Sequence, residues 1–197
     1  LPSLIEGGYL LISVLSGTAV DGVYTCQLFH VTLTLLAAAA VGKLVATRTC
    51  ASIGIGAAAL LLALPWVTIT GSMAYNEMGV LAFGAAALLI VFNESGTTRR
   101  GAAAAGLLVG AATLAKLTAG VMVAVPVGLM LLLRLNRPPG NEARVKSINS
   151  VQLASIAALA GVLMLSPYLV RNFVATGNPV FPFAAEKLGA GHWDDAL

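Results

Sequence analysis

Residues 101–133 read GAAAAGLLVGAATLAKLTAGVMVAVPVGLMLLL, a run of 33 residues whose one charge, Lys116, falls near the middle. As one α-helix this run would be about 50 Å long, against a bilayer hydrocarbon core of about 30 Å. Thr118 and Gly120 follow two and four residues after the lysine. The pattern predicts two short helices, over 102–115 and 118–135, joined by a tight turn at Lys116. Thr118 and Gly120 would then open the second helix and lend a hydroxyl and an exposed helix N-terminus to an anion.

The rest of the chain is organised in the same way, as apolar runs punctuated by charge. The uncharged runs are 7–20, 22–42, 49–76, 78–93, 101–115, 117–133 and 147–170. A crossing helix needs about 20 mostly apolar residues. Segments 22–46, 50–70 and 150–169 meet that length, and 74–92 meets it with Glu77 at the interface. With the turn at Lys116 this makes six crossings, plus an N-terminal interfacial or partial helix over 3–16. Asp21 stands as the N-cap of the first full crossing. Pro167 is expected to end or kink the last one, placing Arg171 and Asn172 just past the interface.

Composition excludes most alternatives. The chain has 197 residues, 58% hydrophobic and 10% charged, with a mean hydropathy of +0.92. A soluble domain carries about 25% charged residues and could not hide so much apolar surface. Disorder, a disulfide scaffold and a nucleic-acid-binding domain are therefore excluded, and nucleic acid is not an expected partner. Cys26 and Cys50 would lie about 36 Å apart along one helix, too far to pair, and read as small buried apolar residues. The expected fold is all-α: one polytopic transmembrane helical bundle over 1–197. The chain opens at Leu1 without a basic leader, so it reads as an internal fragment of a longer protein.

Basic residues orient the bundle. With the first crossing running inward, one side collects Lys43, Arg48, Arg99, Arg100, Arg134, Arg137, Arg144 and Lys146, eight of the eleven. That side is expected to be cytoplasmic, with loop 134–149 on it, in a plasma (inner) membrane. The opposite side collects Lys116, Arg171 and Lys187 with Glu6, Asp21, Glu77, Glu186, Asp194 and Asp195, and an extracytoplasmic loop over 171–197.

Three places on that outer side have the residue types chemistry needs. Glu77 follows Tyr75 and Asn76 at the start of a crossing, either as a capping carboxylate or as a group facing a cavity that takes a polar substrate or a metal. Lys116 either snorkels to the interface or offers a counter-charge to an anion such as phosphate. Arg171 and Asn172, with the Gly177-Asn178-Pro179 turn, either form an interfacial loop or roof a cavity with Arg171 and Asn178 facing inward. His30 reads as a helix–helix hydrogen-bonding residue. His192-Trp193-Asp194-Asp195 has the ligands for a metal or sugar site but no fixed-spacing partner. No zinc-protease, paired-cysteine, nucleophile-elbow or phosphate-loop pattern occurs.

Ala74-Tyr75-Asn76-Glu77 opening a crossing, the helix–Lys–helix turn at Lys116, and Arg171-Asn172 followed by Thr176-Gly177-Asn178-Pro179-Val180-Phe181-Pro182 together resemble the multi-pass glycosyltransferases of the GT-C fold. The resemblance is to protein O-mannosyltransferases, lipid A aminoarabinose transferases and their uncharacterised bacterial relatives. It implies a sugar donor carried on a polyprenyl phosphate and transferred on the extracytoplasmic face to a glycan, lipid or protein acceptor. It implies that the main catalytic carboxylate sits in a first external loop, which would precede Leu1, leaving Glu77 an auxiliary role. Lys116 and Arg171 fall to the lipid phosphate, Glu77 and Asn178 to sugar or acceptor, with Tyr75, Asn76, Asn172 and His192 completing the substrate-binding set. Two departures stand out: relatives often carry Asp where Glu77 stands, and the Lys116 turn is one residue longer than usual. No cofactor is demanded, and a divalent metal stays open. A multi-pass transporter or lipid flippase, and a non-catalytic membrane scaffold, are the rival classes; the transporter predicts an inverted repeat and mid-membrane charges. The glycosyltransferase reading requires the ionic groups at the outer helix tips to face one shared pocket.

Overall fold

A computed structural model describes residues 4–93, 98–133 and 149–189. Of these residues 83% are helical and none lies in a strand. The helices are α1 (Leu4–Leu15), α2 (Ala19–Ala46), α3 (Ala51–Ala63), α4 (Pro65–Ser72), α5 (Glu77–Phe92), α6 (Arg99–Ala115), α7 (Ala119–Met122), α8 (Ala124–Leu133), α9 (Ser150–Thr176) and α10 (Ala185–Leu188).

Among the described residues, two helices are long and apolar enough to cross a membrane unaided, Val20–Ala46 and Ser150–Thr176; a third span forms if α3 and α4, bent by 68°, are taken together. These helices mark the chain as a membrane protein. The number is smaller than the six crossings expected, and local chemistry explains the shortfall. The apolar run 50–70 does not make one rod, because Pro65 begins α4 and holds Leu64 extended at φ −66°, ψ 123°. The segment 74–92 becomes helical only at Glu77, which leaves α5 with 16 residues, about 24 Å.

The long apolar run does break at Lys116. α6 stops at Ala115, and Lys116 is extended at φ −154°, ψ 124°. The segment that follows is less regular than expected: α7 has four residues and Thr118 makes no side-chain cap bond. A helix so short presents no developed N-terminal dipole, so the anion site expected from Thr118 and Gly120 is not built there.

Two further local expectations change. The N-cap of α2 is Thr18, not Asp21: the Asp21 N–H donates to Thr18 Oγ1 at 3.1 Å, and that hydroxyl donates to Asp21 Oδ2 at 2.6 Å. Asp21 thus sits inside the first turn, as in a capping box. α9 continues through Pro167 to Thr176, where Gly177 caps it in the left-handed region at φ 73°. The carbonyl that Pro167 leaves without a donor is that of Leu163, and the Ser166 hydroxyl donates to it at 2.7 Å. Arg171 and Asn172 therefore belong to the helix rather than to a loop starting at 171. Cys26 is buried as expected, but Cys50 is exposed, at the N-cap of α3. Residues 134–148 of the expected cytoplasmic loop lie outside the described residues.

Glycine sets the helix spacing. A Cβ on Gly110 would lie 2.7 Å from the Gly161 carbonyl oxygen, and one on Gly42 would lie 2.9 Å from that of Gly54. Helices that approach this closely are held by dispersion over small residues, the usual solution where lipid is as apolar as leucine. Ala102, Ala105, Ala112, Ala157 and Val127 fill the core shared by α6, α8 and α9. A second core joins Ile5 of α1, Leu33 and Ala37 of α2, Met78 and Ala82 of α5 and Ala115. At one end of the bundle, Arg48 donates to the Phe92 carbonyl at 3.0 Å with its guanidinium 5.2 Å from the ring centre, tying the α2–α3 connection to the end of α5.

Candidate functional site

The opposite end holds the polar cluster. Asn76 precedes α5, and its amide donates to Glu6 Oε1 at 2.7 Å and to the Ala115 carbonyl at 3.0 Å, joining α1, α5 and α6. The Tyr9 hydroxyl donates to the Tyr75 carbonyl. Next to this junction, Lys116 Nζ pairs with Glu77 Oε1 at 3.0 Å, the side chains being 47% and 27% exposed. The other carboxylate oxygen, Oε2, is buried and has no hydrogen-bond partner. His30 is fully buried, with the Tyr9 ring edge-on to it, the ring centres 6.4 Å apart. Neither of its ring nitrogens has a hydrogen-bond partner.

The lengths of the helices place this cluster in a recess. Gly106 meets Ala157 and Gly110 meets Gly161, so α6 and α9 run parallel. α9 then continues ten residues, about 15 Å, past the level at which α6 ends. On the other side α1 runs antiparallel to α2, with Tyr9 against Phe29 and Ser13 against Gly22. From Glu6, bonded to Asn76, α1 climbs nine residues, about 14 Å, to Leu15. The Glu77–Lys116 pair is therefore a floor, and the α1–α2 hairpin and the end of α9 rise beyond it. Those rising segments expose Leu15 (77%), Tyr24 (77%) and Val174 (79%).

Of the residues singled out in the sequence, the structure gathers Glu77, Lys116, Tyr75 and Asn76. It sets Asn172 and Asn178 elsewhere and engages them fully. Asn178 is fully buried; its amide donates to the carbonyls of Phe183 (2.8 Å) and Gly189 (3.3 Å), and its Oδ1 accepts the Val180 N–H at 3.0 Å. Asn172 donates to the Phe181 carbonyl at 3.0 Å, which also accepts from the Tyr168 hydroxyl at 2.7 Å. These side chains fold the segment after Gly177 back onto α9. Arg171 is exposed, and among the described residues no hydrogen bond or ion pair links it, Asn172 or Asn178 to Glu77 or Lys116. His192 lies outside the described residues.

The sequence did not reveal that Glu6 and Tyr9 join this cluster, nor that His30 packs against Tyr9. Cys26 and His30, four apart, mark one helical face of α2, and that was the available signal. What α1 brings to the face depends on the reversal at 16–18, which no periodicity announces.

Among the described residues no group of three or more His, Cys, Asp or Glu could hold a metal ion. A furrow of about 290 Å³ runs between α6, α8 and α9, lined by Gly106, Gly110, Val127, Gly128, Ala157 and Gly161 among others. Its surface is apolar.

No protein-family model matches the chain, and no curated protein or solved structure matches it.

Proposed function

We propose that the chain is part of a membrane glycosyltransferase that uses a polyprenyl-phosphate sugar on the extracytoplasmic face. The observation that supports this most is the recessed, partly exposed Glu77–Lys116 pair. Lipid covers the apolar flanks of α1, α2 and α9, so the pair lies beneath the outer surface, at the depth a lipid-borne phosphate occupies. α2 and α9 span unaided, and the shorter helices packed between them stop early and leave the recess above them. The end holding Arg48 faces the cytoplasm.

Inverting sugar transfer needs a carboxylate to take a proton from the acceptor hydroxyl and cations to receive charge on the departing phosphate. Lys116 serves the phosphate as a point charge, and Arg171, exposed on the part of α9 that extends past α6, as a forked donor. Glu77 assists the acceptor, freed from Lys116 when the phosphate takes that cation. Asn76 and Tyr75 shape the floor. Asn172 and Asn178 keep the outer segment in place rather than touching sugar, because their amides are already engaged.

The test is transfer from a radiolabelled polyprenyl-phosphate sugar in vesicles carrying the full-length protein. Transfer undiminished in both Glu77→Gln and Arg171→Ala would end this reading. A transporter is the second reading, favoured by the 68° break between α3 and α4 and by the unpartnered His30 within α2. Substrate counterflow in proteoliposomes without any transfer product would favour it.

A further inference from the structure

Asn76 occupies the N-cap position of α5, yet its side chain makes no cap bond to that helix. A capping asparagine accepts a backbone N–H and so stabilises the helix it starts. Here the amide gives instead, to Glu6 Oε1 of α1 at 2.7 Å and to the Ala115 carbonyl at 3.0 Å. Ala115 ends α6, and a helix end leaves its last carbonyls without an internal donor. The same three helices meet again at Gly79, where a Cβ would fall 2.8 Å from Ile5 Cδ1 and 3.5 Å from the Ala115 Cβ. Ile5 is almost wholly buried, so α1 cannot leave this contact without opening a void. The register of these contacts matters. Asn76 and Ala115 are bonded, and the next residue on each segment, Glu77 and Lys116, forms the 3.0 Å ion pair. One turn along α1 from Glu6, the Tyr9 hydroxyl donates to the Tyr75 carbonyl. Residues 75, 76 and 77 are thus each held by a different side chain: Tyr9, Glu6 and Lys116. Tyr9 is fixed in turn by α2, its carbonyl accepting from Cys26 Sγ at 3.7 Å and its ring edge-on to Phe29 at 5.9 Å.

We infer that Glu6 and Tyr9 are positioning residues for the Glu77–Lys116 pair, acting through Asn76 and Tyr75. They hold residues 75–76 against the end of α6, so that carboxylate and ammonium stay in register on the floor. Without that clamp, a partly exposed lysine on a flexible stem spends more of its time in other rotamers, which is why exposed ion pairs are weak by default. Glu6 acts here as a hydrogen-bond acceptor, so its charge is dispensable and its length is not. Asn76 acts as a double donor between two acceptors, a role only an amide NH₂ fills at that size. The value of the clamp for sugar transfer rests on the roles proposed above for Glu77 and Lys116; the positioning itself does not.

The test is acylation of Lys116 by limiting acetic anhydride in the full-length protein in lipid nanodiscs, read by mass spectrometry relative to the exposed Lys187. Glu77→Gln sets the rate of an unpaired Lys116. It should exceed wild type by about two- to fivefold, the range of a partly exposed ion pair, because the anion favours the unreactive ammonium. Glu6→Ala, Asn76→Ala and Tyr9→Phe should each move labelling toward that rate. Glu6→Gln, whose carbonyl accepts the same bond, should stay near wild type. Asn178→Ala should lower thermal stability and leave Lys116 labelling where it was. Labelling indifferent to Glu6→Ala or to Tyr9→Phe, equal in Glu6→Ala and Glu6→Gln, or raised as much by Asn178→Ala, would overturn the inference even if transfer depends on Glu77. The expected pattern in a protein with no transfer activity would uphold the clamp while removing the glycosyltransferase reading.

Discussion

The floor at Glu77 and the fold-back after Gly177 are both built on polar side chains, yet the structure treats them differently. At the fold-back, Asn178, Asn172 and Tyr168 donate to backbone carbonyls and Asn178 also accepts, so these side chains are turned inward to hold a segment. At the floor, a cation stands half exposed, one carboxylate oxygen is orphaned and an imidazole is bare. Polar residues in a membrane protein are costly wherever they sit. A set that satisfies itself is explained by the fold, and a set that does not needs something from outside.

That contrast can be broken most forcefully at Lys116. Lys116→Ala should lower transfer by about 10²–10³-fold with little loss of stability, since the pair is partly exposed; equal transfer would erase the distinction between the regions. Asn178→Ala should do the reverse. Stripping its three bonds from a fully buried site should cost about 2–4 kcal/mol, measured as lost thermal stability in detergent, with far less effect on transfer per folded molecule. Gly128→Leu sharpens the comparison from a neutral place: its Cβ meets nothing within 4 Å, so the fold should be kept while the furrow is filled. Retained stability with weakened capture of a long-chain phosphate, relative to inorganic phosphate, would assign the furrow to the lipid tail. Ser166→Ala should cost about 1 kcal/mol by freeing the Leu163 carbonyl beside Pro167. Cys50 provides a check that needs no substitution: being exposed at the end holding Arg48, it should react with a membrane-impermeant maleimide only from the cytoplasmic face.

The sequence was most informative where one physical effect dominated. A 33-residue apolar run interrupted by a lysine had to break, because burying that charge along a continuous rod is expensive, and the break falls at Lys116. It was least informative where two effects compete. Pro167 favours an end to α9, but a serine next to it satisfies the freed carbonyl and the helix runs on. Leu64 and Pro65 lie in a run apolar enough for one crossing, and the local backbone preference overrides the length. Thr18 and Asp21 both suit an N-cap, and only the hydrogen bonds between them decide which is outside the helix.

Composition and the spacing of charges determined, without coordinates, that this chain is helical and built for lipid, since its long continuous apolar runs suit crossing helices and not the alternating strands of a barrel. They also selected Glu77 and Lys116, to which the resemblance added Tyr75 and Asn76. The tertiary structure alone decided that Glu6, Tyr9 and His30 join them, that Asn172 and Asn178 do not, and that the pair lies on a floor rather than at a tip. The reason is geometric: depth and proximity follow from where one helix ends beside another that continues, and helix ends are settled by contacts between segments far apart in the chain.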